Sequence, residues 1–144
     1  MYKKIQTPNL AGERLIGISL PIRDVLHAVS YDKYIVINLV TKEIFESRDD
    51  AENINKLKGM GRCIGLNLND EISSSNGYEI KYQFDQKKDN QFIKITKEDV
   101  VVDEIMAQSM SGDWFKCSFA QDGKWLIICD PYDVTIYEIQ YSNE

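Results

Sequence analysis

Residues that enzymes commonly use for proton transfer, nucleophilic attack and metal binding are scarce in this sequence. It contains one histidine, His27, and three cysteines at irregular spacings, Cys63, Cys117 and Cys129. A zinc site needs about four ligands, and these residues form no recognisable set. Because the number of cysteines is odd, at least one is unpaired, and we expect three reduced thiols packed in or near the core. The sequence therefore predicts no metal and no other cofactor.

The single histidine is a weak candidate for catalysis. His27 lies in an apolar stretch at residues 25–29, which favours a partly buried structural imidazole. A cysteine nucleophile would require His27 as its base, and no local motif supports such a pair. The eight glycines form neither a P-loop nor a dinucleotide fingerprint. We therefore predict that the protein is not an enzyme, and an enzyme that uses His27 with a cysteine or a carboxylate is the least favoured alternative.

Long apolar runs are also missing. No segment approaches the roughly 18 apolar residues of a membrane-spanning helix. Residues 1–4 carry two lysines, but the residues that follow lack the apolar segment of a secretory signal, so we expect a cytoplasmic protein. With 144 residues, of which 43% are apolar, the chain is expected to form a single domain over residues 1–144.

Basic residues are scarce in the last third of the chain. Residues 99–144 contain nine carboxylates and two lysines, a net charge of −7, whereas residues 1–98 contain 14 acids and 15 bases. The formal net charge of −6 therefore originates in the last third. A one-sided field of this kind favours a cationic partner and disfavours nucleic acid and anionic membranes.

Alternation of apolar and polar residues indicates several β-strands. The clearest case is residues 77–84, where four apolar residues alternate with polar ones. A turn at residues 85–90 and a second strand at residues 91–96 complete a hairpin. Residues 30–46 and 120–139 each predict a further hairpin, and residues 69–77, rich in Ser and Asn, predict a loop.

Helix signals are fewer. A cap at Ser47 and the acids after it predict a helix from about Arg48 to Lys58. Residues 97–110 are left open, because Thr96 resembles a helix cap whereas three consecutive valines favour a strand. The patterns together predict an α+β, β-rich fold, with antiparallel, hairpin-linked sheets of about seven to eight strands and one or two short helices.

Lysines and aromatic residues cluster around the central hairpin, as a nucleic-acid surface would require. Acids at Glu79, Asp85, Asp89 and Glu98 lie among them and cancel most of the charge. A solvated sheet face is therefore favoured over a stacking surface, and we expect no nucleic-acid partner. The basic and aromatic residues concerned are Lys81, Lys87, Lys88, Lys94 and Lys97 with Tyr82, Phe84 and Phe92.

A small, acidic, aromatic-rich β-protein without a catalytic set resembles the immunity proteins that bacteria make against their own polymorphic toxins, including contact-dependent inhibition systems. The resemblance is one of type and carries no shared motif. It implies tight binding to a cationic toxin domain, commonly a nuclease, whose cleft an acidic surface can occupy. The alternative is a structural or regulatory β-domain that acts as a homo-oligomer or assembly component, and the oligomeric state is left open.

The resemblance places the contact surface among the carboxylates and aromatic residues of the last third. Replacing Asp130 and Asp133 by Asn is expected to slow association and to flatten its dependence on salt. The predicted partner-binding residues are Asp103, Glu104, Asp113, Trp114, Asp122, Asp130, Tyr132, Asp133, Tyr137 and Glu138.

Overall fold

The described residues form antiparallel β-strands and one short helix. The structure is a computed structural model that describes residues 2–5, 14–31, 33–48, 53–108 and 113–139. In chain order the elements are β1 Tyr2–Ile5, β2 Leu15–Ser19, β3 Val25–Ser30, β4 Lys33–Asn38, β5 Ile44–Arg48, α1 Asn53–Lys58, β6 Cys63–Gly65, β7 Leu68–Asn69, β8 Ser74–Ser75, β9 Tyr78–Asp85, β10 Asn90–Lys97, β11 Val100–Gln108, β12 Lys116–Phe119, β13 Trp125–Cys129 and β14 Val134–Ile139.

These strands build three antiparallel sheets. The six-stranded sheet has the order β5-β4-β3-β2-β6-β7, the central sheet the order β1-β14-β13-β12, and the hairpin sheet the order β11-β10-β9-β8. The expected β-rich antiparallel class is confirmed, but the expected seven to eight strands are too few, since 14 occur in the described residues. Several strands have only two or three residues, and so short a segment carries no readable alternation.

The central sheet is covered on both faces. Strand β13 shows this most clearly, because all five of its residues are buried. Trp125, Ile127 and Cys129 pack in one core with the six-stranded sheet. Leu126 and Ile128 point the other way, into a second core with the hairpin sheet. Neighbouring residues of a strand face opposite sides, so an uninterrupted apolar run fits a strand in the middle of three layers.

Helix α1 covers part of the outer face of the six-stranded sheet. Leu57 is fully buried there in a third core that includes Val29, Tyr34 and Cys63. The helix begins at Asn53 rather than near Arg48, because Arg48 pairs with Lys33 in the ladder of β4 and β5. Residues 49–52 lie outside the described part of the chain. Within the described residues, no helix has the length and apolar content needed to cross a membrane.

The central hairpin is confirmed, and the region left open after it is a strand. Strands β9 and β10 pair over eight residues around the predicted turn. Glu98 and Asp99, with φ values of 51° and 63°, form a two-residue turn into β11. Two such residues suit the right-handed twist of a hairpin, so the capping signal at Thr96 gives way to strand pairing. The predicted loop at residues 69–77 is partly wrong, since it contains the end of β7 and all of β8.

Candidate partner-binding site

An acidic cleft lies where the hairpin sheet meets the end of the central sheet. Its volume is about 230 Å³, and its lining combines buried apolar residues, here called the cleft floor, with two carboxylates. The end of β11 forms one wall, and the turn between β13 and β14 forms the other. The lining residues are Ile105, Met106, Ala107, Gln108, Phe115, Ile128, Cys129, Asp130, Asp133, Thr135 and Tyr137. Three of the predicted contact residues, Asp130, Asp133 and Tyr137, are therefore in the cleft.

Asp130 holds the turn that forms one wall of this cleft. Its Oδ1 accepts hydrogen bonds from the backbone N–H groups of Tyr132 at 2.8 Å and Asp133 at 2.9 Å. Burial raises the pKa of Asp130, and the charges of Asp133 and Asp113 raise it further, while the two N–H donors lower it. A side-chain oxygen that replaces a backbone acceptor is typical of such turns. Asp130 is thus a structural carboxylate as well as a source of charge.

Asp133 is the carboxylate of this turn that is best placed to meet a partner. It is exposed, and its Oδ1 accepts the N–H of Val134 at 2.8 Å. This bond orients the side chain without burying its charge. An exposed, oriented carboxylate beside an apolar floor fits the rim of a protein interface, where charge acts mainly on the rate of encounter.

Asp103 approaches the same region from the hairpin sheet. It pairs in register with the buried Ile95, so it lies on the side of β11 that faces the central sheet. Burial raises the pKa of Tyr137, and the nearby charge of Asp103 raises it further. Asp103 and Tyr137 therefore face each other across the boundary between two sheets, although they are far apart in the sequence.

Arg14 is a member of this surface that sequence reasoning missed. Its guanidinium donates a hydrogen bond to the Tyr132 hydroxyl at 3.0 Å and lies over the Tyr132 ring, 5.5 Å from its centroid. It also lies 3.7 Å from the carboxylate of Asp113. Asp113 and Tyr132 therefore each have a cationic neighbour, Arg14, already in place. No local pattern could reveal this contact, since Arg14 and Tyr132 are 118 positions apart.

Four of the predicted contact residues lie elsewhere. Asp122 occupies the turn before β13, at the opposite end of that strand from Asp130. Glu138 pairs with Trp125 at the same far end. Glu104 lies beside Lys94 on the outer face of the hairpin sheet, and Trp114 packs against the core between the central and six-stranded sheets. The acids of the last third therefore do not share one face.

Other reactive side chains are held in packing roles. The His27 Nδ1 lies 2.9 Å from the Tyr34 hydroxyl, and burial lowers the pKa of His27. Burial raises the pKa of Cys63, Cys117 and Cys129, which keeps these thiols protonated. Among the described residues, no group of three His, Cys, Asp or Glu side chains is arranged to hold a metal ion.

Comparison with known proteins adds no relative. No family model matches the sequence, and neither the curated proteins nor the solved structures include a match to it. The cleft and its charges are therefore the features that indicate a function.

Proposed function

We propose that this protein is a binding protein without catalytic activity, which receives a cationic partner at the acidic cleft in the manner of a toxin immunity protein. The observation that carries the proposal is the meeting of Asp133, Asp130 and Tyr137 around one apolar floor. Asp103, from a different sheet, lies outside the lining but acts on Tyr137, which is part of it. A cleft with an aromatic anchor and a negatively charged rim can both steer a basic protein and retain it.

Cationic toxins of the nuclease type suit this surface. A nuclease must present basic side chains to phosphate, and an acidic surface can occupy the same position. Occlusion requires contact rather than chemistry, which agrees with the packing roles of His27 and of the three cysteines. Under this proposal the partner places a basic side chain beside Asp133 and an apolar group against the cleft floor.

The first experiment identifies the partner. The tagged protein is used to capture proteins from a lysate of its native host at low and at high salt, with mass spectrometry of the retained material. A captured basic protein is then expressed alone and together with this chain. Growth arrest by the partner alone, relieved by co-expression, supports an immunity function. Recovery of only this chain, or a captured protein whose toxicity is not relieved, contradicts it.

The charge of Asp133 is then tested by association kinetics with the captured partner. Asp133→Asn is expected to slow association by about twofold to tenfold at low salt, because it removes a steering charge. Asp122→Asn makes the same change at the far end of β13 and is expected to leave the rate within about twofold. Equal rates for both variants and the wild type would refute steering by the cleft.

An assembly component is the second candidate, and one observation favours it. The hairpin of β4 and β5 exposes Val40 at 65% and Phe45 at 62% of their surface. Apolar side chains that cluster at an exposed sheet edge are typical of contacts between protein chains. This candidate predicts a stable homo-oligomer that Phe45→Ser dissociates, as measured by sedimentation.

A further inference from the structure

A second concave surface, the basic groove, follows the free edge of β9. Its volume is about 830 Å³. Its lining includes every residue from 81 to 87, together with Phe92 and Lys94 of the neighbouring strand β10. Successive side chains of a strand point to opposite faces, so a lining made of consecutive residues indicates a groove along the edge of the strand. The groove lies across the hairpin sheet from β11 and the acidic cleft.

The backbone along this edge is directed into the groove. The Ile80 N–H donates to the Ser73 carbonyl at 2.8 Å, which shows the direction in which Ile80 presents its backbone groups. Alternate residues of an antiparallel strand present these groups to the same side, so Tyr82 and Phe84 continue this edge. Strand β8 pairs only with Tyr78 and Glu79, and no other described strand pairs with the edge after Ile80.

The charge of the lining selects for anions. The lining contains three ammonium groups and one carboxylate: Lys81, Lys87 and Lys94 with Asp85. Lys81 and Lys94 are paired directly across β9 and β10, and like charges so placed repel each other, while Lys94 also pairs with Glu104 of β11 on its other side. The Oδ1 of Asp85 accepts the N–H of Lys87 at 3.0 Å, so the turn orients this carboxylate while its charge remains.

The two faces of the strand edge present different chemistry. Lys81 and Gln83 lie on the outer face, because they pair in register with Lys94 and Phe92. Tyr82 and Phe84 lie on the inner face, and the Tyr82 ring meets Phe115 of the layer beneath at 5.4 Å. A strand added here would therefore have one side chain in two on the outer face, beside Lys81, Gln83 or Asp85, and the next beside aromatic rings.

We infer that the basic groove binds an extended acidic segment of a partner protein, which adds to β9 as a further strand of the hairpin sheet. The segment alternates acidic and apolar residues: the acids lie beside Lys81, with Lys94 one strand further away, and the apolar side chains meet Tyr82 and Phe84. In strand addition, main-chain hydrogen bonds supply affinity, and pockets for alternate side chains supply specificity. Single-stranded nucleic acid fits less well, since it cannot pair with a strand edge.

The test uses a fluorescein-labelled peptide of about seven residues that alternates Glu and Val, with anisotropy as the readout of binding to the full chain. Lys81→Glu reverses one lining charge and is expected to weaken binding about tenfold. Lys88→Glu is the matched control, because Lys88 lies in the same turn region, is exposed and does not line the groove. Its effect is expected to stay within about twofold.

A second pair of variants tests how much the backbone hydrogen bonds of β9 contribute to peptide binding. Phe84→Pro removes the ring and the N–H at the edge, whereas Phe84→Ala removes the ring alone. Proline is tolerated at a strand edge where its N–H has no partner in the sheet. Phe84→Pro is expected to weaken peptide binding at least about fivefold more than Phe84→Ala does. Circular dichroism establishes that both variants are folded.

Several outcomes would overturn the inference. One is the absence of peptide binding, and another is tighter binding of an oligothymidylate than of the peptide. Equal losses of peptide affinity in Lys81→Glu and Lys88→Glu, or in the two Phe84 variants, would also overturn it. A dimer by sedimentation that the peptide does not dissociate would assign the groove to a second copy of the chain. These results do not depend on the acidic cleft, so this inference and the proposed function can fail separately.

Discussion

Individual residues at the acidic cleft have separable roles, and Asp130 is the clearest case. Its carboxylate holds a turn through two N–H donors, yet burial raises its pKa. A raised pKa in the folded state means that the native carboxylate retains its proton to a higher pH than the unfolded one. Stability is therefore greatest below the unfolded pKa and falls as the pH rises towards the folded pKa. The turn forms despite this loss of stability, because the Asp130 side chain supplies the acceptor for two backbone N–H groups.

Asp130→Asn tests this role. The amide oxygen can accept the same two N–H bonds and carries no charge, so the variant should not lose stability as the pH rises. Relative to wild type, its free energy of unfolding is expected to increase between about pH 3 and pH 7, by less than about 1 kcal/mol because the site is partly exposed to water. Urea unfolding at both pH values measures the change. A variant that loses stability relative to wild type at pH 7 would show that the charge itself stabilises the turn.

At the scale of elements, the close approach of β2 and β6 depends on glycine. Gly17 and Gly65 are paired directly across these strands. Gly65 has a φ of +148°, and a Cβ there would collide with the Ile16 carbonyl oxygen and with Gly17. The collision is with backbone, so rotation of a side chain cannot relieve it. Strand β6 can therefore close against β2 only without a side chain at this position.

Gly65→Ala is expected to destabilise the protein by about 2–4 kcal/mol, through strain and separation of the two strands. Gly77→Ala provides the control, because Gly77 also has a positive φ, of +84°, but open space around it. Its cost is expected to be about 1–2 kcal/mol, from the backbone conformation alone. Chemical denaturation compares the two variants. Equal losses of stability in the two variants would mean that the contact between β6 and β2 relaxes, so that the loss comes from the backbone conformation alone.

Hairpins are the elements that the sequence predicts best. Strands β9 and β10 follow from period-two alternation around a polar turn, and both signals are local. Strand β11 cannot be assigned from the sequence because Thr96 and the acids after it resemble the start of a helix, and only cross-strand pairing decides in favour of a strand. Strands β6 to β8 carry no readable pattern because they have only two or three residues, and β6 also pairs with the distant β2 through Gly17 and Gly65.

At the scale of the whole molecule, the central sheet joins two cores. Leu126 and Ile127 are neighbours, and both are fully buried, yet they belong to different cores. Layers that share a strand are coupled, because loss of β13 would expose both cores at once. We therefore expect the described sheets to unfold together in one transition.

Leu126→Ala and Ile127→Ala test this coupling. Each is expected to lower the free energy of unfolding by about 2–5 kcal/mol, since each leaves a cavity in a packed core. Met106→Ala, at a side chain that is 62% exposed, is expected to change stability by less than about 0.5 kcal/mol. Far-ultraviolet and near-ultraviolet circular dichroism should give coincident transitions for all variants. A separate early transition in Leu126→Ala alone would show that the hairpin sheet unfolds independently.

The antiparallel β-rich character, the central hairpin and the acidity of the last third can be read from the sequence, because they depend on residue type and on spacing along the chain. The order of the three layers, and which acids meet, follow from tertiary packing. Asp130 and Asp133 lie in one cleft with Tyr137, and Tyr137 is near Asp103 because β11 and β14 lie in adjacent layers. Asp122 and Glu138 are carried to the far end of the same strands. Such neighbours arise from long-range packing, and spacing along the chain does not encode it.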